Sequence, residues 1–249
     1  MNIRQMLVSS SKYNIKCPYS MNPRYITIHN TANDASANNE VLYMISNNSE
    51  TSFHYAVDDK EAVQAIPENR NAWHCGDSGS GTGNRYSIGI EICYSKSGGN
   101  KFIEAEKNAA YLTAKLLKKY GWGIDRVKKH QDWSGKYCPH RTLDMGWTRF
   151  INMIKAELDK LNGSSSKPST GNVSTNLKPS GTFLFTEICM VYNRPDFSQV
   201  PVVAYYKGET VNYDKVLTGT YVWLGYTSYD GKQRFVCVGK KGAIKGKNV

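Results

Sequence analysis

The feature of this sequence that most constrains its fold is a polar segment at residues 162–176, which reads NGSSSKPSTGNVSTN. Thirteen of these fifteen residues are Gly, Ser, Thr, Asn or Pro. Such a segment cannot bury enough apolar surface to offset the entropy lost on ordering, so it predicts a flexible linker. The 249 residues of the chain are enough for two domains of ordinary size. We therefore expect one domain at residues 1–161 and a second at residues 177–249.

The first predicted domain alternates strand-like and helix-like patterns. Short β-branched runs predict strands at residues 24–30, 52–58 and 86–92. Capping residues and helical spacing predict helices from Asp34 or Ser36 to about Asn47, over 103–120, and from Trp147 to a point before Gly163. This interleaving predicts an α/β domain in which helices cover a sheet.

The second predicted domain has a different pattern. Short strand-like runs occur at residues 182–190, 200–206, 221–227 and 233–238, and no helical stripe stands out. The turn sequence Tyr229-Asp230-Gly231-Lys232 favours a hairpin. Twelve aromatic residues lie within the last 69 positions. A small all-β barrel or sandwich is the fold that this pattern favours.

The overall charge and the cysteines limit the cellular setting. A formal net charge of +11 favours polyanionic partners such as nucleic acid, anionic lipid or a teichoic-acid-rich wall, although a soluble basic surface explains it equally well. No apolar run approaches the length of a membrane span, and the first residues lack the apolar core of a secretory signal. We therefore expect synthesis in the cytoplasm. In that setting the six cysteines are expected to act as thiols or metal ligands rather than as a disulfide framework.

All five histidines precede the predicted linker, so imidazole chemistry belongs to the first domain. His29 ends a predicted strand, while His130 and Cys138 lie eight residues apart across a loop. Two imidazoles and one thiolate suit Zn²⁺, and three protein ligands leave a fourth position for water, as in a catalytic site. A fourth ligand from His140 or His74 would instead close a structural site, and the spacing leaves both possibilities open.

Five motifs occur in a fixed order in the first domain: YITIHNT, FHYAVDD, NAWHCGD, NRYSIGIEIC and HQDWSGKYCPHR. Together they resemble the zinc N-acetylmuramoyl-L-alanine amidases of the amidase-2 type, and they look most similar to phage and prophage endolysins of Gram-positive hosts. The resemblance covers about residues 1–160. It implies a mixed β-sheet flanked by helices, with one Zn²⁺ per chain in a surface cleft, bound by His29, His130 and Cys138.

The resemblance also implies a reaction and two catalytic residues. The bond cut in this family joins the lactyl carboxyl of N-acetylmuramic acid to the amino group of L-alanine. Glu91 matches the family's general base, and Lys136 matches the lysine that faces the oxyanion. Some relatives have Tyr where this chain has Phe53, which cannot donate a hydrogen bond. By the same comparison, His54, Trp73 and His74 are expected along the substrate cleft, with His140 in a supporting position.

The second domain carries a resemblance of its own. Residues 219–239, GTYVWLGYTSYDGKQRFVCVG, look like the bacterial SH3-type wall-binding repeats found at the C-termini of endolysins. Aromatic side chains suit the apolar faces of sugars and peptides, and the candidates are Tyr192, Tyr205, Tyr206, Tyr221, Trp223, Tyr226 and Tyr229. We expect Trp223 and Tyr226 among the wall-binding residues.

The sequence therefore predicts an enzyme that cuts peptidoglycan in the Gram-positive wall. Its partners would be the wall and a separate pore-forming protein that releases it from the cytoplasm, with neither nucleic-acid binding nor membrane insertion. Two alternatives remain open at this point. One is a host autolysin with the same activity, and the other is a peptidoglycan-binding protein without turnover.

Overall fold

The structure is a computed structural model that describes residues 1–163, 177–187, 189–197, 199, 201–240 and 242–249. The chain divides into two compact units, Met1–Gly163 and Ser164–Val249. This division falls inside the segment predicted as a linker, which lies outside the described residues from position 164 onward. Among the described residues, no helix combines the length and apolarity that a bilayer span requires.

The first unit contains six strands and seven α-helices in its described residues. The strands are β1 (Asn2–Gln5), β2 (Tyr25–Asn30), β3 (Tyr55–Val57), β4 (Glu61–Gln64), β5 (Ser87–Ile92) and β6 (Val127–Lys129). The helices are α1 (Tyr13–Lys16), α2 (Ala37–Ser46), α3 (Thr82–Tyr86), α4 (Gly99–Tyr120), α5 (Gln131–Ser134), α6 (His140–Asp144) and α7 (Trp147–Leu161). Short 3-10 helices cover Ser10–Lys12 and Ile124–Arg126.

The six strands form one mixed sheet in the order β1-β4-β3-β5-β2-β6. Only the β3–β4 pair is antiparallel; the other four pairs are parallel. The central strands are buried apolar runs, as expected of parallel strands covered on both faces. The prediction of a mixed sheet flanked by helices is confirmed. β1, β4 and β6 were not predicted, because these short strands lack a long β-branched run.

The helices pack through the apolar stripes that the sequence predicts. Helix α2 begins where the Ser36 side chain accepts a hydrogen bond from the backbone N–H of Asn39, which confirms Ser36 rather than Asp34 as the cap. Helix α4 ends at Gly121, whose φ of 66° is a left-handed conformation that glycine adopts without strain. In α7 the buried side chains include Phe150 and Ile154, and this apolar face packs against the core.

A buried ion pair joins the two longest helices. Arg149 of α7 donates to Oε2 of Glu106 of α4 over 2.5 Å, and their side chains are 7% and 1% exposed. The guanidinium also donates to the backbone oxygen of Met145 and contacts the sulfur of Met153. Among the described residues, Oε1 of Glu106 has no hydrogen-bond partner. The pair is therefore tightly enclosed but incompletely satisfied.

The second unit is built from antiparallel strands, which confirms the all-β prediction. One sheet has the order β10 (Thr210–Tyr213), β7 (Gly181–Phe185) and β15 (Gly246–Asn248). The other has the order β11 (Lys215–Thr218), β12 (Tyr221–Thr227), β13 (Gln233–Lys240), β8 (Cys189–Tyr192) and β9 (Val203–Tyr205), with β14 (Ala243–Ile244) paired to β13. Residues 228–232 form the predicted hairpin turn.

The two aromatic residues predicted to bind the wall are buried in this second unit. Trp223 packs against the rings of Tyr192 and Phe197, and Tyr226 packs against Tyr205 in the core. The two residues lie three positions apart on β12, so their side chains point to opposite faces of the strand, and residues 222–226 are buried on both faces. The structure thus buries both Trp223 and Tyr226 instead of exposing them on the surface of the unit.

Candidate active site

Two neighbouring parallel strands place the first two site residues side by side. His29 near the end of β2 is in register with Glu91 on β5. Because parallel strands in register present paired residues on the same face, both side chains emerge together. Nδ1 of His29 lies 4.0 Å from Oε1 of Glu91. His29 is almost fully buried, whereas the Glu91 side chain retains 18% exposure and can be reached from outside.

The other two candidate metal ligands approach His29 from the opposite side. His130 follows β6, the strand that pairs with β2 on its other edge, and its backbone N–H donates to the Ile28 oxygen. The chain then turns through α5 and returns, so that the N–H of Gln131 donates to the oxygen of Cys138. Sheet order, rather than the eight-residue spacing alone, brings His130 and Cys138 to His29.

The three side chains form a compact donor group. Nδ1 of His29 lies 3.0 Å from Nδ1 of His130 and 3.9 Å from Sγ of Cys138, and one donor atom from each of the three residues lies within 4.8 Å of the other two. Tetrahedral zinc, at about 2.0–2.1 Å from nitrogen and 2.3 Å from sulfur, separates its donor atoms by about 3.3–3.6 Å. The donor types and their distances therefore fit Zn²⁺.

The electrostatics of this group favour a cation. Burial lowers the pKa of His29 well below its usual range and lowers that of His130, so both imidazoles are neutral donors. Burial also raises the pKa of the Cys138 thiol to about 11. A cation between the three atoms would stabilise the thiolate, because metal binding displaces the thiol proton.

The two histidines considered as a fourth ligand lie outside this group. His74 contacts the opposite edge of the His29 ring, with its Nδ1 2.8 Å from Nε2 of His29. His140 begins α6 and lies 3.4 Å from the backbone oxygen of Ser95. A metal held by these three residues alone would keep a fourth coordination position for water, as catalytic zinc sites do.

Glu91 has the environment of a proton-transfer group. Burial raises the pKa of Glu91 to about 8, the Glu40 carboxylate acts in the same direction, and the positive charge of Lys136 opposes both. Within the described residues, Oε2 of Glu91 has no hydrogen-bond partner. A carboxyl group with a pKa near neutrality can both accept and return a proton.

A cleft opens above Glu91. Its lining includes the exposed Lys136 on the loop between the two later ligands, and the buried ring of Phe53. Phe53 contributes no hydroxyl, so the polar groups facing the cleft near Glu91 come from other residues. The remaining lining residues are Asn30, Thr31, Ala32, Glu40, Tyr43, Met44, Asn47, Ser49, Thr51 and Glu91.

Sequence reasoning missed the contribution of α2 and the segment that follows it to this cleft. Glu40, Tyr43, Met44 and Asn47 border the cleft along one side. The sequence signal was weak, because Tyr43 lies within the apolar run VLYMI, and only the structure shows that its side chain is largely exposed.

The three residues predicted to contact substrate lie away from the cleft lining. His54 is fully buried, donates from Nε2 to the Arg70 oxygen, and accepts at Nδ1 from the Gly89 N–H. Trp73 donates from its indole to the Ile15 oxygen. His74 is buried behind His29. These contacts satisfy both ring nitrogens of His54. All three side chains contact the interior of the unit, and none of them lines the cleft.

Comparison with known proteins identifies both units. The family model "N-acetylmuramoyl-L-alanine amidase" matches residues 19–141, and the model "Bacterial SH3 domain" matches residues 175–238. An N-acetylmuramoyl-L-alanine amidase CwlA from a Bacillus species is 52% identical over 174 residues, which span 70% of this chain and 69% of that protein. The chain belongs to the N-acetylmuramoyl-L-alanine amidase family. The resemblances seen in the sequence are thereby confirmed for both units.

Two further relatives define the extent of the amidase match. The amidase CwlA of Bacillus subtilis (strain 168) is 63% identical over 172 residues, which cover 68% of this chain and 63% of that protein. The protein in the solved structure of PlyL is 59% identical in sequence, and the two structures superpose with a TM-score of 0.62. The match covers 63% of this chain and 99% of the PlyL chain. The chain spans about half to two thirds of the length of two Bacillus subtilis amidases that it matches.

Proposed function

We propose that this chain is a zinc-dependent N-acetylmuramoyl-L-alanine amidase that cuts peptidoglycan. The observation that carries the proposal is the His29, His130 and Cys138 donor group, with Glu91 4.0 Å from His29 at the base of an open cleft. Family membership supports the same activity, since the relatives matched by the first unit are named for it.

The three donor residues would hold one zinc ion. When bound, zinc acts as a Lewis acid toward the amide carbonyl and lowers the pKa of water. Glu91 takes the proton from the attacking water, because its raised pKa places it near the working pH. The same carboxyl group then returns the proton to the departing amino group of L-alanine, which leaves as a neutral amine.

Lys136 supplies a positive charge near the carbonyl oxygen of the bond to be cut. Its ammonium group borders the cleft that Glu91 also lines, so it can face the negative charge that develops on the carbonyl oxygen. Phe53 cannot share that task. The lysine is exposed on the loop between two ligands, and substrate binding would exclude water from it.

The second unit is proposed to hold the enzyme on the wall. Its match to a bacterial SH3 domain supports this function. Because Trp223 and Tyr226 are buried, the aromatic candidates for direct contact are the exposed Tyr206 and Tyr229. Tethering the two units would raise the concentration of the active site near its substrate, often to the millimolar range for short linkers.

The biological setting is proposed to be that of a phage or prophage endolysin. In this setting the chain is made in the cytoplasm, a separate pore-forming protein releases it, and it then lyses the Gram-positive host from within. The resemblance of the five motifs in the first unit to phage and prophage endolysins supports this setting, and a host autolysin with the same activity is the alternative.

The test is digestion of purified peptidoglycan with mass analysis of the products. The amidase predicts free lactyl carboxyl groups on the glycan and new N-terminal alanine on the peptides, and it predicts loss of both with Glu91→Gln. The exposed Glu104→Gln is the matched control and should behave as wild type. New reducing ends would indicate a glycosidase, and binding without products would indicate a recognition protein.

A further inference from the structure

The imidazole ring of His29 is engaged at both of its nitrogen atoms. Nδ1 faces His130 and Cys138, whereas Nε2 lies 2.8 Å from Nδ1 of His74. Nε2 of His74 in turn lies 3.3 Å from the backbone oxygen of Ser87. These contacts form a chain of hydrogen bonds, His29–His74–Ser87, that runs from the proposed metal site into the sheet.

Only one arrangement of protons satisfies this chain with neutral rings. A backbone carbonyl can only accept, so Nε2 of His74 carries the hydrogen. The Nδ1 atom of His74 then has a free lone pair and accepts from Nε2 of His29. It follows that His29 carries its single hydrogen on Nε2, and that its Nδ1 lone pair points toward the other two donor residues.

We propose that His74 is a positioning residue that fixes His29 in the tautomer able to bind a metal at Nδ1. The inference rests on the metal site proposed above and adds a second residue to it. Histidine ligands commonly donate their other N–H to a fixed acceptor, which sets both the tautomer and the ring orientation. Here the acceptor is another imidazole, which the backbone of β5 holds in turn.

The packing around His74 leaves its ring little freedom to turn away. A Cβ atom placed on Gly89 would lie 2.8 Å from Nδ1 of His74, so only glycine leaves room for the ring on that side. His54 meets the ring edge-on at a centroid distance of 5.9 Å, and its own nitrogens are committed to backbone groups. Gly89→Ala therefore offers a way to displace the His74 ring without removing it.

A competing arrangement shares the same atoms. His29, His74 and Cys75 also place three possible donor atoms within 4.8 Å, with Sγ of Cys75 3.1 Å from Nδ1 of His74. A metal there would replace the proton between the two imidazoles and would make His74 a ligand. Removal of the Cys75 thiol separates the two arrangements, because only the competing one needs that sulfur.

The experiment uses the full chain in metal-free form. Zinc affinity is measured by competition with a chromophoric chelator for wild type, His74→Leu, His74→Gln, Gly89→Ala and Cys75→Ala. We expect His74→Leu to weaken zinc binding by about 10–100-fold, the usual effect of losing such a partner. Gly89→Ala should weaken it as well. Glutamine keeps an acceptor and a donor and should restore most of the affinity, while Cys75→Ala should match wild type.

A second readout reports the tautomer directly and requires no metal. Nitrogen-15 shifts of the His29 ring in the metal-free wild type should show a protonated Nε2 and an unprotonated Nδ1. In His74→Leu the buried Nε2–H loses its acceptor, so the proton should move to Nδ1. Circular dichroism confirms that each variant is folded before it is compared.

Three results would overturn the inference. They are wild-type zinc affinity in folded His74→Leu, a wild-type His29 protonated at Nδ1, and equal losses in His74→Leu and Cys75→Ala. If His74→Leu does not fold, Gly89→Ala and the wild-type spectrum still decide the question. If wild type binds no zinc, the proposed function fails at its metal, whereas the tautomer measurement still tests the hydrogen-bond chain by itself.

Discussion

The buried ion pair between α4 and α7 provides a stability prediction whose size follows from its surroundings. Glu106→Ala would leave the guanidinium of Arg149 with no carboxylate in a site where it is only 7% exposed. Removing one partner of a buried pair typically costs about 3–5 kcal/mol, because the remaining charge is neither solvated nor paired. For a unit of this size, about 2–4 °C of melting temperature is lost per kcal/mol. We therefore expect Glu106→Ala to lower the melting temperature of the first unit by about 6–20 °C.

The assay is differential scanning calorimetry of the full chain, in which the transition of the first unit is the one that zinc shifts upward. Glu104→Gln on the same helix is the control. That side chain is 53% exposed and pairs only with Lys107 across one turn, so its loss should stay within about 0.5 kcal/mol.

A double substitution tests the reasoning from the other direction. Glu106→Leu combined with Arg149→Met removes both charges and fills the site with apolar side chains. Replacing a buried pair in this way is often neutral or stabilising by about 1–4 kcal/mol. One carboxylate oxygen of the pair lacks a partner among the described residues, which strengthens this expectation. A shift below about 2 °C in Glu106→Ala, or a double variant less stable than Glu106→Ala alone, would refute the argument.

Four further predictions concern activity and wall binding. One zinc should bind per chain, chelation should abolish lysis, and His29→Ala and Cys138→Ser should lose the metal. Metal content is measured by emission spectrometry, and full activity in a sample shown to be metal-free would reject the site. Glu91→Gln should retain zinc but lose about 10²–10⁴-fold in turnover on soluble muropeptides, the usual contribution of a general base. Lys136→Ala should lose less, about 10–10³-fold by analogy with one oxyanion donor, and wild-type rates in either variant would assign its role elsewhere. Finally, deletion of the second unit should slow lysis of whole cells more than cleavage of soluble fragments. Salt should weaken wall binding, because exposed charges are screened over about 8–10 Å. A labelled second unit that stays in solution in wall pull-downs at every salt concentration would contradict its targeting role.

Much of the first unit could be predicted from local patterns. The β-branched runs of β2 and β5 and the apolar stripes of α4 and α7 each report a buried face directly in the sequence. β1 could not be found in this way. Its sequence NIRQ has one apolar residue, and the strand forms because it pairs with β4, about sixty positions later.

The site was less accessible to sequence reasoning, because its residues meet through sheet order. Spacing relates His130 to Cys138, but only the adjacency of β5, β2 and β6 brings both to His29 and Glu91. The histidines also look alike in the sequence. His54 and His74 differ from the proposed ligands only in what their nitrogens contact, and those contacts are made across the fold.

The same limit applies to the aromatic residues of the second unit. Alternation along a strand predicts that one face is buried, but it does not say which face a ligand could reach. Trp223 and Tyr226 lie on opposite faces of β12, and each packs against a tyrosine ring from another strand. Exposed Tyr206 and Tyr229 lie outside the strands, in turns that carry no periodic signal.

The register between β2 and β5 has a consequence for engineering. The separation of His29 from Glu91 is set by backbone pairing in the middle of a sheet, so no loop can adjust it, and a one-residue slip would turn either side chain to the opposite face. The opposite wall of the cleft comes from residues 40–51, on a surface helix and the segment after it. A library of substitutions confined to that wall would change the shape and polarity offered to the stem peptide while the reacting groups kept their spacing. For the proposed amidase, substrate preference and bond cleavage would therefore be separately adjustable quantities.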